Sequence, residues 1–430
     1  DQHDWFRESR SNRDNPKRDW YIWRDGKNGG PPNNWYSPFG GPAWELDETT
    51  GQYYYHFFFK EQPDLNWRNP EVKAAMFAAV RFWLDRGVDG FRLDAIGTIY
   101  EDINLPDHPV PMTGVELRRE LDRAVTPERR EELMRLWTAM EQYQVEQPGM
   151  HELMQELRSV IDEYDERMLI GEDENLAYLG DGSNELHLVF NFPLMKTDRL
   201  TPAWIRRNQN QRLRELGKIS MDAWPCNTLG NHDSSRIWTR YSDGMHQAEQ
   251  ARLCLALLLT LRGTPFLYNG EEIGMSDLYL TEIGQFRDLL GVWYYQAQVK
   301  DLGMAPEEAL EKAARLTRDK NRTPMQWSQH DNGGFCPADV QPWLPVNPNY
   351  SSGVNVQAQA HDPGSHLNFY RQLLEVRKNS PALIGGSYQS YHPRNQKVLA
   401  FTRQVPEQIC LVVLNFSDEA GGLVLPRECG

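Results

Sequence analysis

From Asn69 onward the chain alternates between two hydrophobic rhythms. Val72, Ala75, Met76, Ala79, Val80, Trp83 and Leu84 recur at i, i+3, i+4 and i+7, the spacing of one helix face. Asn69 can cap that helix, Pro70 suits its first turn, and Gly87 can end it. The run VDGFRLDAI follows, with Phe91, Leu93 and Ile96 reading as a buried strand that Arg92 and Asp94 interrupt. The alternation then repeats. Helix HELMQELRSVIDEY leads into strand RMLIGE; LHLVFNF and AWPCNTLGN are further strands; helix AEQARLCLALLLTLRG leads into TPFLYNG. Within it, Leu253–Leu261 is apolar enough for a helix buried on most sides. Helices alternating with short apolar strands predict βα units and a parallel sheet, with about five strands between Arg92 and Tyr268.

The two ends of the chain read differently. The first 66 residues are rich in Asn, Pro, Gly and Trp, as in RDGKNGGPPNNWYSPFGGPAW, and predict a loop-rich subdomain. After helix SHLNFYRQLLEVRKN the pattern becomes antiparallel, with VLAFTRQ and QICLVVLNF joined by the turn VPE and a further strand in GLVLP. The expected division is therefore 1–66 (loop-rich), 67–380 (βα units) and 381–430 (a β domain).

Composition narrows the function. The net charge of −15, without a basic block, argues against a nucleic-acid partner, whose phosphates demand a cationic surface. No apolar run approaches the roughly 20 residues of a membrane span, so no membrane partner is expected. Five widely spaced cysteines, with no CxxC pair, suggest free thiols in a reducing, cytoplasmic compartment. The 14 tryptophans suit either a large core or the apolar faces of sugar rings, and the core comes first.

The charged residues cluster where the strands end. Catalytic groups of βα folds sit at the C-terminal ends of strands. Arg92-Leu93-Asp94, Gly171-Glu172 and Asn231-His232-Asp233 each close an apolar strand. One such Asp is an ordinary helix cap; three carboxylates with an Arg and a His beside them are harder to explain that way. Glycoside hydrolysis needs two close carboxylates, one to attack the anomeric carbon and one to protonate the leaving oxygen. No HExxH, phosphate loop or GxSxG elbow occurs, and GEDEN (171–175) lacks the EF-hand spacing, so no metal or cofactor is expected.

GFRLDAI, LIGE and NHD resemble the strand motifs of the α-amylase superfamily of glycoside hydrolases. QPDLNW (62–67), RTPMQW (322–327), SPFGGPAW, PWLPVNPNY and FLYNGEEIGM narrow the resemblance to the oligo-1,6-glucosidase and α-glucosidase branch. It implies a (β/α)8 TIM-type barrel, present from about strand 4 to strand 8, with a loop-rich inserted subdomain and a C-terminal antiparallel β domain. It implies Asp94 as nucleophile, Glu172 as general acid/base and Asp233 as a carboxylate that binds hydroxyls and helps distort the ring. Arg92 would hold Asp94 ionised, His232 and Arg322 would contact the terminal glucose, and Phe39, Phe58 and Gln62 would line its pocket. Each of these last has a plainer alternative. Phe39 and Phe58 also fit a core, Gln62 a turn beside Pro63, and Arg322 a surface ion pair with Asp319.

The expected partner is a short oligosaccharide. In this branch Val after the nucleophile accompanies α-1,6 cleavage and smaller residues α-1,4, so Ala95 leans toward α-1,4 linkages. DQHDWF resembles the second half of a motif that follows the third barrel strand, which implies a chain beginning inside the family pattern. Any calcium-type loop of the kind some members carry would then lie upstream of Asp1. An open sheet edge would leave the isolated chain poorly stable and inactive. Two other activities share these motifs: transglycosylation or sugar isomerisation, and the non-enzymatic scaffold role of transporter heavy chains, which tend to lose the carboxylates present here.

Overall fold

A computed structural model describes residues 1–391 and 394–422, which fall into two compact units. The first comprises residues 1–173 and 177–187, the second 174–176 and the described residues from 188 onward.

The first unit opens with a helix, Asp4–Ser11, and a small antiparallel sheet of β1 (Trp23–Arg24), β2 (Trp44–Asp47) and β3 (Gln52–Tyr55) in the order β1-β3-β2. The loop-rich segment thus has a real core, and the core is aromatic. Phe6, Tyr21, Trp23 and Tyr54 pack together, and Trp35, Trp44, Tyr55 and Phe57 form a second cluster. Much of the tryptophan content is spent on packing here, as large rings bury much area per side chain.

Helix Pro70–Leu84 starts as predicted, with the Asn69 side chain accepting the Glu71 N–H at 2.8 Å. β4 (Gly90–Leu93) then pairs in parallel with β5 (Met168–Gly171), Phe91 opposite Leu169. Gly90 is required there, because a Cβ would stand 2.2 Å from the Met168 carbonyl oxygen. Helix Met150–Ile161 buries Met150, Leu153, Met154, Leu157, Val160 and Ile161 and leads into β5, as its spacing predicts.

Two burial expectations fail in this unit. Of the predicted face of helix Pro70–Leu84, only Val72 and Leu84 are buried, while Trp83 is 51% exposed. Phe91 and Leu93 are half-buried rather than buried, and Arg92 and Asp94 are exposed. An apolar period specifies a face; it does not specify what covers it.

The second unit holds β6 (Leu188–Val189), β7 (Cys226–Thr228) and β8 (Thr264–Phe266), with β7 and β8 parallel and Phe190 bridged in parallel to Cys226. Helix Gln247–Thr260 lies in the core as its apolar run predicts, with Cys254, Leu257 and Leu258 buried. The predicted hairpin forms from β10 (Val398–Val405) and β11 (Gln408–Asn415), and β9 (Ser387–Tyr391) adds to β10. Leu399, Phe401 and Leu414 of this sheet share one hydrophobic cluster with that helix. Arg403, fully buried, seals the junction: Nη1 donates to the carbonyls of Thr260 (2.9 Å) and Leu261 (2.8 Å), and Nη2 to that of Gly386 (3.0 Å). The expected strand GLVLP and Cys429 lie outside the described residues. Cys226, Cys254, Cys336 and Cys410 carry no disulfide.

Candidate active site

The end of β4 and the end of β5 are stitched together by backbone and side chain. The Glu172 N–H donates to the Leu93 carbonyl at 2.8 Å, and the Ala95 N–H donates to Glu172 Oε2 at 3.0 Å. Ala95 reaches that position with a left-handed backbone, φ 41° and ψ 46°. Arg92, pointing to the same face as Asp94, pairs with Asp94 through Nη1 and with Glu172 Oε1 through Nη2 at 2.6 Å. One guanidinium therefore holds two carboxylates from neighbouring strands.

The two carboxylates differ in setting. The Asp94 side chain is 76% exposed, that of Glu172 only 18%. Burial is the main cause that raises the Glu172 carboxyl above its ordinary range, and the Asp94 carboxylate raises it further. The Ala95 N–H and the Arg92 charge pull it partly back. An acid raised this way keeps its proton to higher pH, which is what proton donation to a leaving oxygen needs.

The second unit carries a separate cluster beyond β7. Asp233 pairs with Arg322, accepts from Arg318 Nη1 at 3.4 Å, and lies 3.5 Å from His232 Nε2. Arg322 Nε also donates to the His232 carbonyl at 2.8 Å, as does Asn321 Nδ2 at 2.8 Å. Arg318 is held in turn by the buried Asp288, with Nη2 to Oδ1 at 2.7 Å. The surface pair of Arg322 with Asp319 does not form. Asp319 is buried and accepts instead from the backbone N–H groups of Arg287 (2.7 Å) and Asp288 (2.9 Å).

A third cluster is aromatic and belongs to the first unit. The Phe39 ring lies 5.2 Å from Phe58 and 4.7 Å from Phe59, all three half-buried. The Ser37 hydroxyl donates to the Phe58 carbonyl at 2.6 Å and fixes that loop. Gln62 is exposed and its backbone N–H closes a turn onto Phe59 at 2.8 Å. Two members of these sites escape the motif reading. Arg318 lies four residues before Arg322 in TRDKNR, a spacing that could have flagged it; Asp288 has no sequence signal tying it to Asp233. Among the described residues no group of three or more His, Cys, Asp or Glu side chains is gathered to hold a metal.

Parallel βα pairs with acids at the strand ends define a barrel-type hydrolase site, and the comparisons give it a family. The Alpha-amylase family model, for the alpha amylase catalytic domain, matches residues 1–386, and the chain belongs to that family. It is thus a glycoside hydrolase of the α/β, (β/α)8-barrel class with a C-terminal antiparallel sheet. It is 37% identical over 445 residues to the oligo-1,6-glucosidase of Parageobacillus thermoglucosidasius, covering 99% of this chain and 74% of that protein. A probable alpha-glucosidase of Rhizobium meliloti (strain 1021) is 36% identical, covering 100% of this chain and 73% of that protein. Among solved structures, the trehalulose synthase MutB from Pseudomonas mesoacidophila MX-45 superposes with a TM-score of 0.82 at 35% identity, over 97% of this chain and 73% of that one. The isomaltulose synthase from Erwinia rhapontici NX5 gives 0.81 at 34%, with the same coverage. Among the described residues no helix is long and apolar enough to cross a membrane.

Proposed function

We propose that the protein is a retaining α-glucosidase acting on the terminal glucose of short malto- or isomalto-oligosaccharides. The observation that carries the reading is the single Arg92 guanidinium shared by Asp94 and Glu172. Asp94 attacks the anomeric carbon while Glu172 gives its proton to the departing glycosidic oxygen, leaving a glucosyl ester on Asp94. Glu172, now a carboxylate, takes a proton from water, whose oxygen displaces Asp94 and releases glucose. Asp233, with Arg322 and His232, binds the hydroxyls of that glucose. No cofactor enters this chemistry, and a cytoplasmic location fits the four described cysteines, none of which is in a disulfide.

The small side chain of Ala95 beside the nucleophile supports α-1,4 over α-1,6 linkages. Rates on maltose and isomaltose measured with the full-length protein test this, and faster isomaltose cleavage would reverse the preference. A second reading, sugar isomerisation, is favoured by the likeness to isomaltulose and trehalulose synthases, one of them solved with its natural substrate sucrose. In it a released sugar replaces water in the second step. Products formed from concentrated sucrose decide: glucose and fructose mean hydrolysis, a rearranged disaccharide means isomerisation.

A further inference from the structure

Within the first unit, the turn that follows β4 is gripped by a segment outside both catalytic strands. Residues 142–149 join helix Pro127–Glu141 to helix Met150–Ile161. Their anchor is the fully buried Gln144, whose Nε2 donates to the Tyr36 carbonyl at 3.2 Å and whose Oε1 accepts from the Tyr55 hydroxyl at 3.1 Å. Two residues on, Glu146 has a left-handed backbone, φ 54°. Gly or Asn adopts that conformation more readily than Glu, and Glu146 is exposed, so packing does not demand it. A strained residue kept in such a place points to a role for its side chain.

Glu146 reaches toward both strand ends of the site. Its N–H donates to the Gly97 carbonyl at 2.7 Å, and its Oε1 accepts from the Tyr178 hydroxyl at 2.9 Å. That same oxygen lies so near Gly97 that a Cβ there would meet it at 2.5 Å. Gly97 belongs to the turn that Asp94 and Ala95 begin, and Tyr178 to the 3₁₀ turn Leu176–Leu179 that follows Glu172. Tyr178 is fully buried; burial, then the Glu146 carboxylate, pushes its hydroxyl well up, so it stays protonated and donates. Beside this pair stand the carboxylates of Asp173 and Glu185 and the His151 ring, 5.2 Å from that of Tyr178. Glu146 thus ties the chain after β4 to the chain after β5. Those two stretches meet in the site through the Ala95 N–H and Glu172 Oε2 at 3.0 Å.

We propose that Glu146 is a positioning residue for the catalytic pair: with Tyr178 it clamps the turn after Asp94 and so holds the Ala95 N–H on Glu172. The proposal rests on the glycosidase reading of Asp94 and Glu172 and names what fixes them relative to each other. Burial raises the Glu172 carboxyl most and Asp94 adds to it, while the Ala95 N–H and Arg92 pull it down. Loosening the clamp removes one downward pull, so the carboxyl should rise further. In the full-length protein, Glu146→Gly, which suits the left-handed backbone, and Tyr178→Phe should each lower kcat by about 10- to 100-fold with KM little changed. Both should also move the alkaline limb of the kcat/KM profile to higher pH. Glu146→Gln, which still accepts from the Tyr178 hydroxyl, should recover most of the rate, and the double variant Glu146→Gly/Tyr178→Phe should lose little beyond either single one. A merely structural role would lower the folded fraction, cutting rates equally at every pH with the limb unmoved, and that result overturns the proposal. A second arm follows the Glu172 carboxyl by labelled-glutamate NMR in the unmutated and Glu146→Gly proteins, with Glu172→Gln assigning the signal. A higher titration in Glu146→Gly is expected, and an unchanged one overturns the clamp. If the unmutated protein turns over no α-glucoside, the glycosidase reading falls, and this titration alone decides the clamp.

Discussion

The Arg92 cluster and the Asp233 cluster are built from the same residue types in different proportions. In the first, one guanidinium serves two carboxylates. In the second, Arg318 and Arg322 converge on Asp233, and Arg318 is itself balanced by Asp288. A cation short of its anions leaves a negative surplus, and the cheapest relief is a proton on the less solvated acid. That acid is Glu172. A balanced cluster has no such surplus, so Asp233 is suited to accept hydrogen bonds in a fixed place. Burial remains the larger cause of the raised Glu172 carboxyl, and the neighbouring Asp94 charge adds to it.

The contrast can be broken most severely at Asp94. Asp94→Asn should lower kcat by on the order of 10⁴-fold or more, with sugar binding still measurable by calorimetry. The same change removes the anion that helps raise Glu172, so the Glu172 carboxyl should titrate lower in a labelled-glutamate NMR experiment; no change would show the two acids do not share charge. Glu172→Gln should cost about 10²–10⁴-fold on maltose and far less on an aryl glucoside whose leaving group needs no proton. In the unmutated protein the alkaline limb of the pH–rate profile should lie above the ordinary carboxylate range, because a raised acid loses its proton later, and Glu172→Gln should abolish that limb.

Asp233→Asn should cost less, about 10- to 150-fold in kcat/KM, the worth of hydrogen bonds to a charged group. Its alkaline limb should stay in place, and a shifted limb would mean that the two clusters titrate together. The smallest effect is expected at Ala95. Its left-handed backbone resists a β-branched side chain, so Ala95→Val should cost about 1–3 kcal/mol in denaturant unfolding, while Ala95→Gly should not. Equal stability of both would mean that the turn relaxes freely and does not hold its N–H on Glu172.

The strand-end motifs were legible because sequence neighbours stay neighbours. Arg92 and Asp94 share a face by strand period alone, and His232 and Asp233 are adjacent. The helix caps, the buried helix Gln247–Thr260 and the C-terminal hairpin were readable for the same local reason. What could not be read is set by distant partners. Nothing in TRDKNR says that Arg318 is anchored by Asp288, 30 residues upstream. Nothing in the period of Val72–Leu84 says that Trp83 stays open to solvent. The half-burial of β4 is of this kind too: the pattern FRLDAI gives alternation, whereas burial depends on what lies against each face.

Arg403 has a consequence for how this protein can be cut. The α-amylase family match ends at residue 386, which invites treating the last strands as a separable appendage. The Arg403 guanidinium instead caps the last carbonyls of helix Gln247–Thr260 from 143 positions away, and Phe401 and Leu399 fill the same core as that helix. Trimming at the family boundary would strip those carbonyls and open that core, so the hairpin and the helix should melt as one cooperative unit. Recombination that swaps the C-terminal sheet between relatives must carry over this helix, or an arginine placed to replace Arg403.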